Sequence, residues 1–245
     1  MEETITADGL RLAVYGDGDP GKPTLVLVHG FPDTARVWDP LVRQLADRFH
    51  VVRYDVRGVG GSQAPADEAG FRIEQLADDV LRVAEATGER VHLVGHDWGA
   101  VQGWRAVSER PELFASFTAI SGPDLGHAGH WYRKNFPSRA TVTQLARSWY
   151  MAFFRIPKLA DLWFDSNGLA LYRQNLGRGH EPRRITTRVL QIVPTRDRYV
   201  TPALAASARE WCGDLTERRA PAGHWVIQTH PEVVASWITE FVAES

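Results

Sequence analysis

The sequence predicts an α/β fold: a mostly parallel central sheet flanked by helices, with a short helical insertion. Three observations predict it. Short β-rich runs alternate with longer amphipathic segments over most of the chain. Several runs are continuously apolar, such as Leu25-Val26-Leu27-Val28, as strands covered on both faces are. The alternation stops once, from about Gly122 to Thr187, where aromatics, glycines and prolines appear without clear strands.

Ile5 to Tyr15 reads as a hairpin turning at Asp8-Gly9. Thr24 to Val28 is a buried strand. Asp33 to Phe49 has helical spacing at Val37, Leu41, Leu45 and Phe49. His50 to Tyr54 is a second buried strand, and Ile73 to Thr87 a helix with its apolar face at Leu76, Val80 and Val83. Val91 to Val94 is a third strand, Trp98 to Ser108 a helix, and Phe114 to Ile120 a fourth strand. In the insertion, Thr141 to Phe154 is the best helix. Arg188 to Val193 resumes the strands, with a helix from Pro202 to Trp211, a last strand from Leu215 to Ala220, and a last helix from Pro231 to Val242, proline in its first turn. The core domain is therefore expected over 1–121 and 188–245, and the insertion over 122–187.

Composition narrows the function. The chain has 245 residues, room for one sizeable core, with 44% hydrophobic and 24% charged residues. A formal net charge of −2 argues against a nucleic-acid partner. Cys212 is the lone cysteine, so no internal disulfide is expected. The acidic N-terminus lacks an apolar signal core, and the apolar runs fall far short of the roughly 20 residues that span a bilayer. A cytoplasmic protein is expected, with peripheral membrane contact and a homodimer left open.

The chemistry concentrates in Gly95-His96-Asp97-Trp98-Gly99. A buried strand runs into Gly-x-Asp-x-Gly and then into a helix, the pattern of a nucleophile on a sharp strand-to-helix turn, with aspartate in place of serine. Glycines flank it because side chains there would strike the neighbouring strand and helix. The helix N-terminus favours an anion. Alone, this five-residue pattern is weak and matches many surface turns. Three others reinforce it. His29-Gly30-Phe31-Pro32 follows the first buried parallel strand, where a backbone N–H would help form an oxyanion hole. Its donors are assigned to Phe31 and Trp98. Asp55-Val56-Arg57-Gly58-Val59-Gly60-Gly61-Ser62 reads as a structural loop rather than a phosphate loop, since no Gly-Lys-Ser/Thr follows. Ala222-Gly223-His224-Trp225 precedes the last helix and supplies a candidate base. The acid must fall between nucleophile and histidine in chain order. Asp197, just after a strand, is preferred to Asp124.

Together these motifs, from His29 to Trp225, resemble the epoxide-hydrolase branch of the α/β-hydrolase superfamily, and in particular the hydrolase half of bacterial proteins that fuse it to a short-chain dehydrogenase. The chain ends at Ser245, so no dehydrogenase half is expected. The resemblance implies an α/β-hydrolase fold, a helical cap over 122–187, and two cap tyrosines that hold the epoxide oxygen. Tyr150 in Trp149-Tyr150-Met151-Ala152-Phe153-Phe154 and Tyr172 in Leu171-Tyr172-Arg173 match those positions, with Tyr132 and Tyr199 in reserve. It also implies opening of a small apolar epoxide to a vicinal diol: Asp97 forms an alkyl-enzyme ester, and water activated by His224 and Asp197 hydrolyses it. Trp38, Trp149 and Phe153 are assigned to substrate binding. No cofactor is implied. The segment is shorter than the family's usual cap, which puts the tyrosine geometry in question. A haloalkane dehalogenase would share Asp97 and His224 and find a halide donor in Trp98, but usually carries asparagine where Phe31 stands. A non-catalytic binding protein on the same fold is the third reading. His127 and His130 lack the partners of a metal site, so no metal is expected.

Overall fold

The computed structural model describes residues 2–5, 8–88, 90–156 and 158–244, with side chains from Asp8 onward. Eight strands form one sheet among these residues: β1 (Glu2–Ile5), β2 (Arg11–Asp17), β3 (Thr24–Val28), β4 (His50–Tyr54), β5 (Val91–His96), β6 (Phe114–Ile120), β7 (Val189–Pro194) and β8 (Leu215–Ala220). Their spatial order is β1-β2-β4-β3-β5-β6-β7-β8. The first two strands pair antiparallel, β2 joins β4 antiparallel, and all later pairs are parallel. The hairpin is thus present, with Gly9 at φ 81° in its turn. Thr6 and Ala7, also in the expected hairpin, lie outside the described residues.

The helices are α1 (Asp39–Leu45), α2 (Ile73–Ala86), α3 (Trp98–Glu109), α4 (Leu125–Asn135), α5 (Arg139–Arg147), α6 (Trp149–Phe154), α7 (Ser166–Asn175), α8 (Pro202–Ala205), α9 (Val226–Thr229) and α10 (Pro231–Ala243). Strand β3 explains the layering. Its side chains alternate, so Val26 and Val28 face one apolar cluster with α2 and α3, while Leu25 and Leu27 face another with α1 and α10. Each such leucine, fully buried, contributes about 1.5–3 kcal/mol.

Three expected helices are shorter. Asp33–Phe49 becomes a 3-10 turn, Ala35–Trp38, followed by α1. Thr34 caps that turn, and Pro40 is tolerated only because it falls in the first turn of α1. Thr141–Phe154 is two helices, α5 and α6, broken at Ser148. Pro202–Trp211 is α8 with a 3-10 continuation over Ala206–Glu210.

Helices α4 to α7 fall between β6 and β7, where the strand alternation was expected to stop. Two of them are pinned by polar side chains to the loops at the strand ends and to the start of α2. Gln144 of α5 donates to the Tyr199 carbonyl and accepts from the Thr201 N–H, and Arg147 donates to the Asp197 carbonyl. Asn175 of α7 donates to the Phe71 carbonyl and accepts from the Ile73 N–H, and Asn167 donates to the Gly58 carbonyl. Among the described residues no hydrogen bond joins Trp149–Phe164 to the sheet.

The Asp55–Ser62 loop is structural, as expected. Asp55 accepts from the Ala35 and Gly61 N–H groups and the Tyr15 hydroxyl. Arg57, fully buried, forms a two-pronged ion pair with Asp79 of α2 and a further pair with Asp8. This fixes the loop beside the site.

Candidate active site

Asp97 stands between β5 and α3 at φ 55° and ψ −124°, a left-handed conformation that a non-glycine residue keeps only when its surroundings enforce it. The enforcement is visible. A Cβ on Gly95 would lie 2.6 Å from Ala100 Cα, and one on Gly99 would fall inside the Val28 carbonyl. Strand, turn and helix therefore pack with no room for another side chain, and Asp97 is thrust up from the sheet edge.

Its two oxygens face different partners. Oδ1 accepts the Phe31 N–H at 3.0 Å. Oδ2 lies 3.4 Å from His224 Nε2. The Trp98 N–H opens α3 on the Phe31 side, since a Cβ on Gly30 would come within 2.6 Å of Trp98 N and would also strike Asp97 Oδ1. His29 shapes this loop: its Nδ1–H donates to the Gly30 carbonyl and its Nε2 accepts from the Val56 N–H. Burial lowers its pKa and holds that neutral form.

On the far side His224 Nδ1 donates to Asp197 Oδ2 at 2.9 Å. Asp197 is buried, and its other oxygen accepts the Tyr199 and Val200 N–H groups. Burial works to raise its pKa, but His224 and those two N–H groups outweigh it and lower it. The expected alternative, Asp124, instead caps α4 by accepting the His127 N–H at 2.8 Å. The His224 carbonyl is also held, by His96 Nε2–H at 3.0 Å and more weakly by the Ser121 hydroxyl. Burial, then the nearby His224 charge, push the His96 pKa down to about 4, so it is a neutral positioning group.

Burial pulls the His224 pKa down. The bonds to Asp197 and Asp97 outweigh that and push it up to about 10. The raised value means that the fold binds this proton more tightly than the unfolded chain does. The resulting stability is complete below about pH 6.5 and is lost as pH rises through about 10. Removing one of the two carboxylates should undo much of the shift. Asp97→Ala is expected to bring the His224 titration down toward neutrality, followed by NMR of the imidazole protons. An unchanged titration would mean that Asp97 does not hold the proton there.

These groups open into a cavity of about 790 Å³ that Asp97 and His224 share with Tyr150, Tyr172, Trp149 and Phe153. Burial first, and the Asp97 carboxylate second, raise the pKa of both tyrosines. The two rings are 6.2 Å apart, edge to face. Tyr199 lines the same cavity, 5.4 Å from the Tyr150 ring and 4.9 Å from His224, whereas Tyr132 does not.

Trp38 corrects the expected binding wall. It lines no part of this cavity, because the 3-10 turn directs it into the cluster with α1 and α10, fully buried and edge-on to His96. Two charged groups of this cavity went unassigned in the sequence, Arg147 and Arg198, exposed at its rim. Outside it, Asp33 accepts the Trp225 indole N–H at 2.9 Å, tying the Phe31 loop to the His224 loop.

A strained carboxylate between two backbone loops, with a histidine and second acid beside it at the strand ends of a mostly parallel sheet, defines a class. A family profile described as the alpha/beta hydrolase fold matches residues 23–192, and the chain belongs to that family. The probable oxidoreductase EphD of Mycobacterium tuberculosis (strain ATCC 25618 / H37Rv) is 32% identical, covering 96% of this chain and 48% of EphD. That alignment runs over 284 positions, more than this chain has, so EphD carries segments this chain lacks. Epoxide hydrolase A of the same organism is 31% identical over 81% of this chain and 61% of its own length. The chain thus spans about half the length of EphD and about three-fifths of epoxide hydrolase A. Among solved structures, a Bacillus megaterium epoxide hydrolase bound to an inhibitor superposes with a TM-score of 0.86, covering 99% of this chain and 100% of that one at 22% identity. That likeness is one of fold.

Proposed function

We propose that this protein is an epoxide hydrolase that uses Asp97 as its nucleophile, with residues 122–187 as a short cap. The observation that carries the reading is one cavity lined by a strained carboxylate, a histidine backed by the buried Asp197, and two tyrosines whose raised pKa values keep them protonated. The relatives named epoxide hydrolases support it.

Oδ2, the oxygen not engaged by Phe31, attacks an epoxide carbon. The carbon–oxygen bond breaks, and the ring oxygen takes a proton from Tyr150 or Tyr172. Asp97 is now an ester and has lost its charge. One of the two carboxylates that raised the His224 pKa has vanished, so the imidazolium gives up its proton, which reprotonates the tyrosinate left by ring opening, and becomes a base. His224, oriented by Asp197, then takes a proton from water. The hydroxide adds to the Asp97 carbonyl, the oxyanion forms against the Phe31 and Trp98 N–H groups, the diol leaves with the proton from His224, and the Asp97 carboxylic acid passes its proton to His224, restoring the starting pair. A carboxylate suits attack at saturated carbon because its product is an ester that water can cleave. A serine would leave an ether.

Incubation of the protein with styrene oxide tests this, with 1-phenylethane-1,2-diol measured by chromatography and a 1-chloroalkane run in parallel for halide release. Diol formation that Asp97→Ala abolishes is expected. Halide release without diol would overturn the proposal in favour of dehalogenation, and binding of the epoxide without turnover would overturn it in favour of a binding protein.

A further inference from the structure

A second cavity, of about 200 Å³, lies beside the first. Phe31, Pro32 and Phe164 line both, so the partition between them is no thicker than these side chains. The second cavity runs along α3 past Trp98 to Gln102, one helical turn further on, and has Val56, Phe71 and Leu171 among its apolar walls. For scale, an apolar cavity of about 150 Å³ accepts benzene.

Gln102 is the anomaly here. Its side chain is fully buried, and neither its Oε1 nor its Nε2 has a hydrogen-bond partner. Buried amides are almost always satisfied, because an unpaired one keeps its full desolvation cost. Other buried polar groups in the wall are already engaged. His29 uses both ring nitrogens, and Arg57 binds Asp79, Asp8 and the Gly70 and Gln75 carbonyls. Asn167 donates to the Gly58 carbonyl and Asp33 accepts from Trp225. Among the described residues of this wall, Gln102 alone carries a buried donor and a buried acceptor that nothing in the protein pairs.

We propose that this cavity is a second substrate subsite. It takes an apolar arm ending in a neutral group that both donates and accepts hydrogen bonds, a primary amide or a hydroxyl, and Gln102 reads that group. The inference rests on the epoxide-hydrolase reading for its kinetics, not for its binding. An epoxide held at Asp97 extends its arm past Phe31 and Phe164, and Phe164, 37% exposed, has room to turn aside. Gln102 does not touch the reacting atoms; it selects among substrates. A site built to pair a polar group discriminates strongly against an analogue lacking it, because its own amide is then left unpaired.

The test uses two substitutions of similar size, Gln102→Leu and Gln102→Met, each checked for an intact melting transition. The kinetic arm compares styrene oxide, which has no such arm, with glycidyl ethers of equal length ending in a primary amide or in a methyl group. The wild type is expected to favour the amide over the methyl ether by on the order of 10-fold or more in kcat/KM. Both variants should abolish that preference and leave styrene oxide turnover unchanged. The binding arm titrates benzamide by calorimetry and needs no turnover. Its affinity should fall on the order of 10-fold in both variants. Preference and benzamide affinity that survive both substitutions would overturn the inference and leave the cavity with water only. A wild type that turns over no epoxide, yet loses benzamide binding with Gln102, would overturn the enzymatic reading and keep the subsite.

Discussion

His224→Gln, mixed with styrene oxide in a single turnover, is expected to gain the mass of the epoxide and to hold it. The proposed mechanism divides the labour at Asp97. Alkylation needs Oδ2 and a proton donor, neither of which is His224. Hydrolysis of the ester needs a base 3.4 Å away, which is. Glutamine keeps the bulk and part of the hydrogen bonding but cannot accept a proton at neutral pH. A positioned general base contributes typically about 10²–10⁴-fold, so steady-state diol formation should fall by that range while the adduct accumulates. Intact-protein mass spectrometry reads the gain, and peptide mapping should assign it to the peptide carrying Asp97. Asp97→Ala should gain nothing. An adduct on another peptide would remove Asp97 as nucleophile. Full turnover in His224→Gln would remove His224 as base.

Replacing both tyrosines should strike the other half of the reaction. Tyr150→Phe and Tyr172→Phe each delete one hydroxyl and leave a ring in the aromatic cluster around Phe31 and Phe154. Burial and the Asp97 charge keep both hydroxyls protonated, so each can stabilise the opening oxygen. Each single change should slow alkylation about 10–100-fold, and the double change should approach the roughly 10²–10⁴-fold limit of losing acid assistance altogether. The effects need not add, since one hydroxyl partly covers for the other. Rapid-quench measurement of ester formation checks this, with hydrolysis of preformed ester as the internal control. Ester formation at the wild-type rate in the double variant would exclude both residues from the chemistry.

What the sequence conveyed was local or ordered along the chain. Gly95 and Gly99 could be read because a packed strand-to-helix turn has no other solution there. Asp197 could be preferred to Asp124 because it sits right behind a strand, and His224 Nδ1 does donate to it. Helix breaks were less legible. The apolar spacing of Thr141–Phe154 continues through Ser148, and nothing in a period of 3.6 marks where one helix stops and another starts. Trp38 misled because an aromatic soon after an oxyanion loop reads as pocket wall, whereas its direction depends on a 3-10 turn. Gln102 carried no signal at all. A glutamine one turn into an amphipathic helix looks like a solvated residue until the surrounding walls are known, and those come from four separate parts of the chain.

The pins on α5 and α7 divide the two tyrosines between different mechanical bodies. Tyr172 sits on α7, anchored through Asn167 and Asn175, and moves with the sheet. Tyr150 sits on α6, in the span between the pins, which is tied to α7 by the Asp161–Arg173 ion pair and for the rest leans on the molecule through apolar contacts. Such contacts hold without direction and yield locally at low cost. If the span swings out to admit a guest, it carries one hydroxyl away and leaves the other behind. The acid pair would then exist only while the door is shut, so that closure itself arms the ring opening and a half-entered epoxide meets a carboxylate with just one proton donor beside it.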